Sequence, residues 1–164
     1  NVKFVMVGDG RYLEEFNGEV ERRGVKNRFV MVPRQPAERI PELLCACDAS
    51  FLSFQDDPLW TKTIPAKLQS YMACGMPIVA AAGGETQRII EEAECGVCSP
   101  IGDAEKLAEK IMELQKTDKK KLVEMGMNSR RYCEMHYNKK KLMDDMDYFL
   151  TRDFVASTVG KRED

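Results

Sequence analysis

Residues 61–85, TKTIPAKLQSYMACGMPIVAAAGGE, constrain the fold of this chain more than any other stretch. Thr63-Ile64-Pro65 reads as a loop feeding a helix that begins near Pro65 or Ala66. Proline is preorganised for a first helical turn, and its missing N–H is no loss there. The helix should run through Lys67-Leu68-Gln69-Ser70-Tyr71-Met72-Ala73 and stop at Gly75, with Pro77 just beyond. Ile78-Val79-Ala80-Ala81-Ala82 has the composition of a short strand buried on both faces, closed by a Gly83-Gly84 loop. Together these make one helix–strand unit of a parallel sheet. Such a unit leaves a helix N-terminus whose unpaired N–H groups attract anions, phosphates above all.

The remainder of the chain repeats the alternation. Phe4-Val5-Met6-Val7 predicts a short buried strand, and Gly8-Asp9-Gly10 turns it into a helix from about Tyr12 to Arg23. The glycine turn either admits a ligand close to the backbone or is only a tight strand-to-helix connection; both readings stand. Gly24 ends that helix, Arg28-Phe29-Val30-Met31-Val32 follows as a strand, and Pro33 terminates it. Residues 36–47 form a helix with an apolar stripe of Ile40, Leu43, Leu44 and Cys47, and residues 48–54 the next buried strand. The polar segment 55–62 then lies at a strand's carboxyl end, where α/β folds bind ligands. Its Trp60 either stacks on a ligand ring or packs. Beyond the central stretch come a helix over 86–94, a last strand Gly96-Val97-Cys98, an N-cap at Asp103, and helices over 103–115, 119–135 and 139–149.

The expected fold class is therefore α/β: a Rossmann-like three-layer αβα domain over residues 1–150 with a parallel sheet of about five strands, then a frayed tail over 151–164.

The stretch TIPAKLQSYMACGMPIVAAAGGE, with Ile89-Ile90-Glu91-Glu92-Ala93 and Cys95-Gly96, resembles the nucleotide-sugar-binding half of GT-B glycosyltransferases. Within that fold it is most like the retaining family 4 group, in its branch that builds cell-surface polysaccharides. The matching positions are Pro65, Lys67, Tyr71-Met72-Ala73, Gly75, Pro77-Ile78 and Gly84-Glu85, and the likeness runs from residue 1 to about residue 150. It implies the C-terminal half of a GT-B fold, one βα unit short at its start. The activity implied is transfer of a hexose or N-acetylhexosamine from a nucleotide diphosphate, UDP being favoured, to a saccharide or lipid-linked acceptor. A noncatalytic Rossmann-like module that binds nucleotide or a protein partner is the alternative.

A sugar nucleotide presents a base, a ribose diol, a pyrophosphate and a sugar, and each needs a different partner. The resemblance places Gly8, Asp9 and Gly10 beside the donor's sugar or phosphates, and Val32, Pro33 and Arg34 under the base. Pro33 departs from the glycine usual near there. Lys62, Thr63, Ile64, Pro65 and Lys67 would surround the diphosphate, the lysines neutralising the leaving group without a metal. Many members of the family hold the sugar and the ribose with two glutamates, whose positions fall here on Lys62 and Ser70. Neither is acidic. Three readings follow: Ser70 or Gln69 holds the ribose weakly, Glu85 beside Gly84 supplies a carboxylate, or the site is degenerate. Catalytic residues are not identified in the chain; the resemblance puts part of them on an absent N-terminal domain, a partner without which this piece should be inactive.

Composition excludes several classes. Net charge is -2 over 164 residues, so no nucleic-acid-binding face is expected. The runs Lys119–Lys121 and Lys139–Lys141 are flanked by acids and read as solvated helix faces, a peripheral contact with the inner face of a membrane being the sharper alternative. No apolar run approaches the roughly 20 residues of a spanning helix. No signal segment is evident, and the chain opens on an apolar strand, as expected of a start inside a larger protein. The six cysteines include one Cys95-x-x-Cys98, but without a second ligand pair they read as reduced thiols in a cytoplasmic protein, with no metal or cofactor.

Overall fold

The structure is a computed structural model and describes residues 2–159. It divides into two compact units, residues 1–47 and 48–164.

In the first unit, strand β1 (Phe4–Val7) pairs in parallel with β2 (Phe29–Val32), with Phe4 opposite Phe29 and Val7 opposite Val32. Helix α1 (Leu13–Arg22) connects them and ends at Gly24, whose φ of 65° is the left-handed conformation a helix terminus favours. Phe16 of α1 meets Phe29 edge-on at 5.3 Å, and Phe29 stacks on Phe4 at 5.3 Å. The helix expected over 36–47 is a 3₁₀ turn, Ala37–Arg39, followed by a short α2, Ile40–Cys45.

In the second unit, β3 (Ser50–Ser53), β4 (Ile78–Ala81) and β5 (Gly96–Ser99) form a parallel sheet in the order β3-β4-β5. A four-residue turn of helix, α3 (Pro58–Thr61), lies inside the segment expected to be loop. Asp57 caps it, its carboxylate accepting from the Leu59 N–H at 2.8 Å. Helix α4 (Ala66–Ala73) joins β3 to β4, and α5 (Gly84–Glu92) joins β4 to β5. All four residues of β4 are buried. Ile78 and Ala80 join a core with Leu68 and Met72 of α4, Ile89 and Ile90 of α5, and Leu52 of β3. The alternate residues Val79 and Ala81 are buried as well, which needs cover on the other face. Helix α6 (Ala104–Lys116) packs against β4 and β5.

Helix α7 (Lys119–His136) fastens the turn between α4 and β4 and the end of α5. The Ser129 hydroxyl donates to the Met76 carbonyl at 2.6 Å, the Arg130 guanidinium to the Ala73 carbonyl, and the Asn128 amide to the Glu94 carbonyl at 3.3 Å.

The α/β, Rossmann-like class holds, with four corrections. The single sheet of about five strands is two sheets, of two and three strands. The strand expected to be buried at 4–7 leaves Val5, Met6 and Val7 exposed, because β1 has one pairing partner and α1 is the one long helix of its unit. In β3 only Ser50 and Leu52 are buried, Phe51 and Ser53 facing outward. The last helix, α8 (Lys139–Val159), runs past Phe149, where the helix was expected to end; residues 160–164 of the expected tail lie outside the described residues.

Candidate donor site

The residues singled out from the sequence fall into two groups, one in each unit. In the first unit the loops after β1 and β2 lie side by side, the Gly8 N–H donating to the Val32 carbonyl at 3.0 Å. Gly8 has a φ of 120°, which disfavours any side chain, and no atom stands within 4 Å of where a Cβ would be at Gly8 or Gly10. The backbone is open there, as a close-approaching ligand requires. Asp9 is exposed beside it. Pro33 is exposed, and its carbonyl accepts from the Gln35 side chain at 3.0 Å.

The second unit brings the 61–63 segment, which leads through Ile64 and Pro65 into α4, against the start of α5, where Gly84 and Glu85 lie. The cause is local. Gly83 is the N-cap of α5 and Gly84, with φ of 60°, its first residue, so the expected Gly-Gly loop is a helix start. A Cβ on Gly84 would overlap the Thr61 carbonyl, which shows how closely α5 meets the end of α3. One step along, the buried Thr86 hydroxyl donates to the Thr63 carbonyl at 3.3 Å. The start of α5 is thus fixed to the 61–63 segment on both sides of Glu85.

The two helix starts differ electrostatically. Pro65 caps α4 without any side-chain hydrogen bond, and the first turn of α4 carries Lys67 and no acid. Helix α5 has Glu85 in its first turn. The positive end of α5 already faces a carboxylate; that of α4 faces none of its own. Between them, the Thr63 hydroxyl oxygen is buried and is the sole such side-chain oxygen or nitrogen without a hydrogen-bond partner among the described residues. Lys62 and Lys67 are exposed.

Ser70 is exposed, and its hydroxyl donates to the Ala66 carbonyl at 3.1 Å, one turn back in its own helix. Glu85 is held by a residue the sequence reading passed over. Arg88 donates from Nε to one carboxylate oxygen of Glu85 at 2.9 Å and from Nη2 to the other at 2.6 Å, while Nη1 reaches Glu92. Those hydrogen bonds keep the Glu85 carboxyl below the usual carboxylate range. The signal was present: acids three positions before and four after Arg88 lie on one helix face.

Trp60 stacks on Phe54 at 5.7 Å and stays partly exposed. Among the described residues, no group of three or more His, Cys, Asp or Glu is placed to share a metal, and no helix is long and apolar enough to cross a membrane. Burial pushes the Cys98 thiol up to about 12. A shallow depression lined by Glu109, Met112, Glu113, Lys116 and Thr117 contains none of the predicted site residues.

Comparison with known proteins gives a consistent result. The family model for glycosyl transferases group 1 matches residues 1–132. A curated 2-deoxystreptamine N-acetyl-D-glucosaminyltransferase of Streptomyces fradiae is 27% identical over 100 residues, covering 61% of this chain and 23% of that protein. Among solved structures, HepE of Anabaena in complex with UDP superposes with a TM-score of 0.75 at 24% identity, covering 92% of this chain and 41% of that one. Sucrose-phosphate synthase of Thermosynechococcus elongatus gives 0.76 at 21% identity, covering 93% and 38%. This chain therefore spans less than a quarter of the curated relative and about two-fifths of the solved chains.

Proposed function

We propose, from the premise that this chain belongs to the glycosyl transferases group 1 family and has the α/β fold of its GT-B members, that it is the donor-binding part of a retaining glycosyltransferase. The donor is a sugar nucleotide, uridine-linked, and the sugar a hexose or N-acetylhexosamine. The acceptor is a saccharide or lipid-linked saccharide of cell-surface polysaccharide synthesis, presented by a further domain of the same protein. HepE of Anabaena binds UDP, and the Streptomyces fradiae relative is an N-acetyl-D-glucosaminyltransferase; both names support the reading without carrying it.

The observation that carries it is the start of α4. A free helix N-terminus, no acid in its first turn, Lys67 within that turn and Lys62 just before it make a place for a diphosphate. Developing negative charge on a leaving nucleoside diphosphate would be stabilised there by fixed N–H dipoles and ammonium groups, a task a metal performs elsewhere. The buried Thr63 hydroxyl without a partner supports a ligand at this loop, since native interiors rarely leave such a group unsatisfied.

Titration calorimetry tests the reading. UDP should bind the folded chain, with affinity unchanged by a chelator, and Lys67→Ala should weaken it about tenfold or less, as expected for one partly solvated charge. Strict magnesium dependence, or no uridine-nucleotide binding by the folded protein, overturns it. One observation favours the noncatalytic alternative. Lys62 and Ser70 stand where acids are expected, and Ser70 spends its proton on its own helix. Donor hydrolysis or transfer by the longer protein would decide against that alternative.

A further inference from the structure

We propose that Glu85, oriented by Arg88, is the carboxylate that binds the ribose diol of the donor nucleotide, and that Arg88 is its positioning residue. This rests on the donor reading above and deepens it.

The argument starts from what each helix start can accept. The first turn of α4 is open to an anion, whereas that of α5 already holds the Glu85 carboxylate, which repels phosphate and attracts hydroxyl donors. The two starts are joined by contacts immediately on either side of Glu85: Gly84 against Thr61, and Thr86 to the Thr63 carbonyl at 3.3 Å. The helix start that carries Glu85 is therefore held against the 61–63 segment leading into α4, and a nucleotide whose diphosphate lies at 63–67 has that helix start beside it.

Arg88 adds orientation. Its Nε and Nη2 bond one to each oxygen of Glu85, at 2.9 and 2.6 Å, and its remaining Nη1 is tied to Glu92. A guanidinium gripped at both ends fixes the plane of the carboxylate and uses one lone pair on each oxygen. The second lone pair of each remains, and a vicinal diol supplies two donors side by side. Ser70, the other candidate, offers one small hydroxyl whose proton already goes to Ala66. The carboxylate absent from position 70 in α4 is thus replaced by one from the neighbouring helix.

The experiment compares UDP with 2′-deoxy-UDP by calorimetry on the full chain, with melting curves to score folding. The wild type should prefer UDP about tenfold, as one hydrogen bond to a charged group warrants. Glu85→Gln should reduce that preference to about twofold or less; Arg88→Ala should reduce it in part, and Arg88→Lys less than Arg88→Ala. A residue that only stabilises α5 would lower the melting midpoint and leave the ratio alone. An unchanged ratio in folded Glu85→Gln, or a wild type that binds both nucleotides equally, overturns the proposal while the donor reading stands. An unchanged ratio in Arg88→Ala overturns the positioning role. No binding of either nucleotide by folded wild type overturns the donor reading itself.

Discussion

At the scale of single residues, Gly84 decides the local geometry of the candidate site. It must hold a φ of 60° and leave room for the Thr61 carbonyl, two demands only glycine meets together. Left-handed backbone costs a residue with a Cβ about 1–2 kcal/mol, before any overlap is relieved. Gly84→Ala should therefore lose at least about 2 kcal/mol in urea unfolding, and UDP affinity with it, because Glu85 and Thr63 move when the contact opens. A variant as stable as wild type would show that α5 does not meet Thr61 this closely. The sequence pointed to Gly84 and Glu85 as site residues but read the glycine pair as a loop. Local turn rules score glycine as a breaker and cannot see that the carbonyl of a residue more than twenty positions earlier reserves the space. Arg88 was passed over for a related reason. Its partners were visible in the spacing, but their consequence for Glu85 appears only once the start of α5 is known to lie against the 61–63 segment.

At the scale of elements, what depends on neighbours in sequence was legible and what depends on distant pairing was not. The N-cap at Asp103 forms as expected, its carboxylate accepting from the Lys106 N–H at 2.8 Å, and Gly75 ends α4 in the left-handed conformation with φ of 67°. Helix α7 was placed correctly along the chain, yet nothing in its own pattern announced its work. Gly126 lies where a Cβ would overlap the Gly75 carbonyl, and Ser129 reaches the Met76 carbonyl in the turn between α4 and β4. The helix thereby holds the α4–β4 connection, and through α4 the helix start assigned to the diphosphate. Ser129→Ala leaves that buried carbonyl short of its donor, which costs about 1–3 kcal/mol. Chemical denaturation measures it. A loss below about 0.5 kcal/mol would mean that the carbonyl finds another partner and that this hydrogen bond is not what holds α7 to the α4–β4 turn.

At the scale of the molecule, the division into two units is the feature least available to sequence reasoning. Strand propensity marks Phe4–Val7 and Phe29–Val32 as clearly as it marks Ile78–Ala81, and alternation with helices led to one sheet. Pairing is set by contacts between segments far apart, and propensity carries no record of them. The units also differ in what holds them. Among the described residues up to 47, only Val20 is a buried core residue, and Val5, Val30 and Met31 remain more than two-fifths exposed. In residues 48–164 a core of Leu52, Leu68, Met72, Ile78, Ile89 and Ile90 excludes water around β4. Burial of a single aliphatic side chain contributes about 1.5–3 kcal/mol, so the second unit has several times the driving force of the first. Opening of the first should cost far less free energy than opening of the second, and the chain should not unfold in one step. Hydrogen exchange resolves this by segment. Amides of β1 and β2 should exchange at least about a hundredfold faster than those of β4, a difference of about 2.7 kcal/mol in opening free energy. A saturating uridine nucleotide at the start of α4 should add protection to α4, β4 and α5, by about 2.7 kcal/mol at one hundred times its dissociation constant. Equal protection of β1 and β4 without ligand would mean that the two units open together, and the division into a weak and a strong unit would then be wrong.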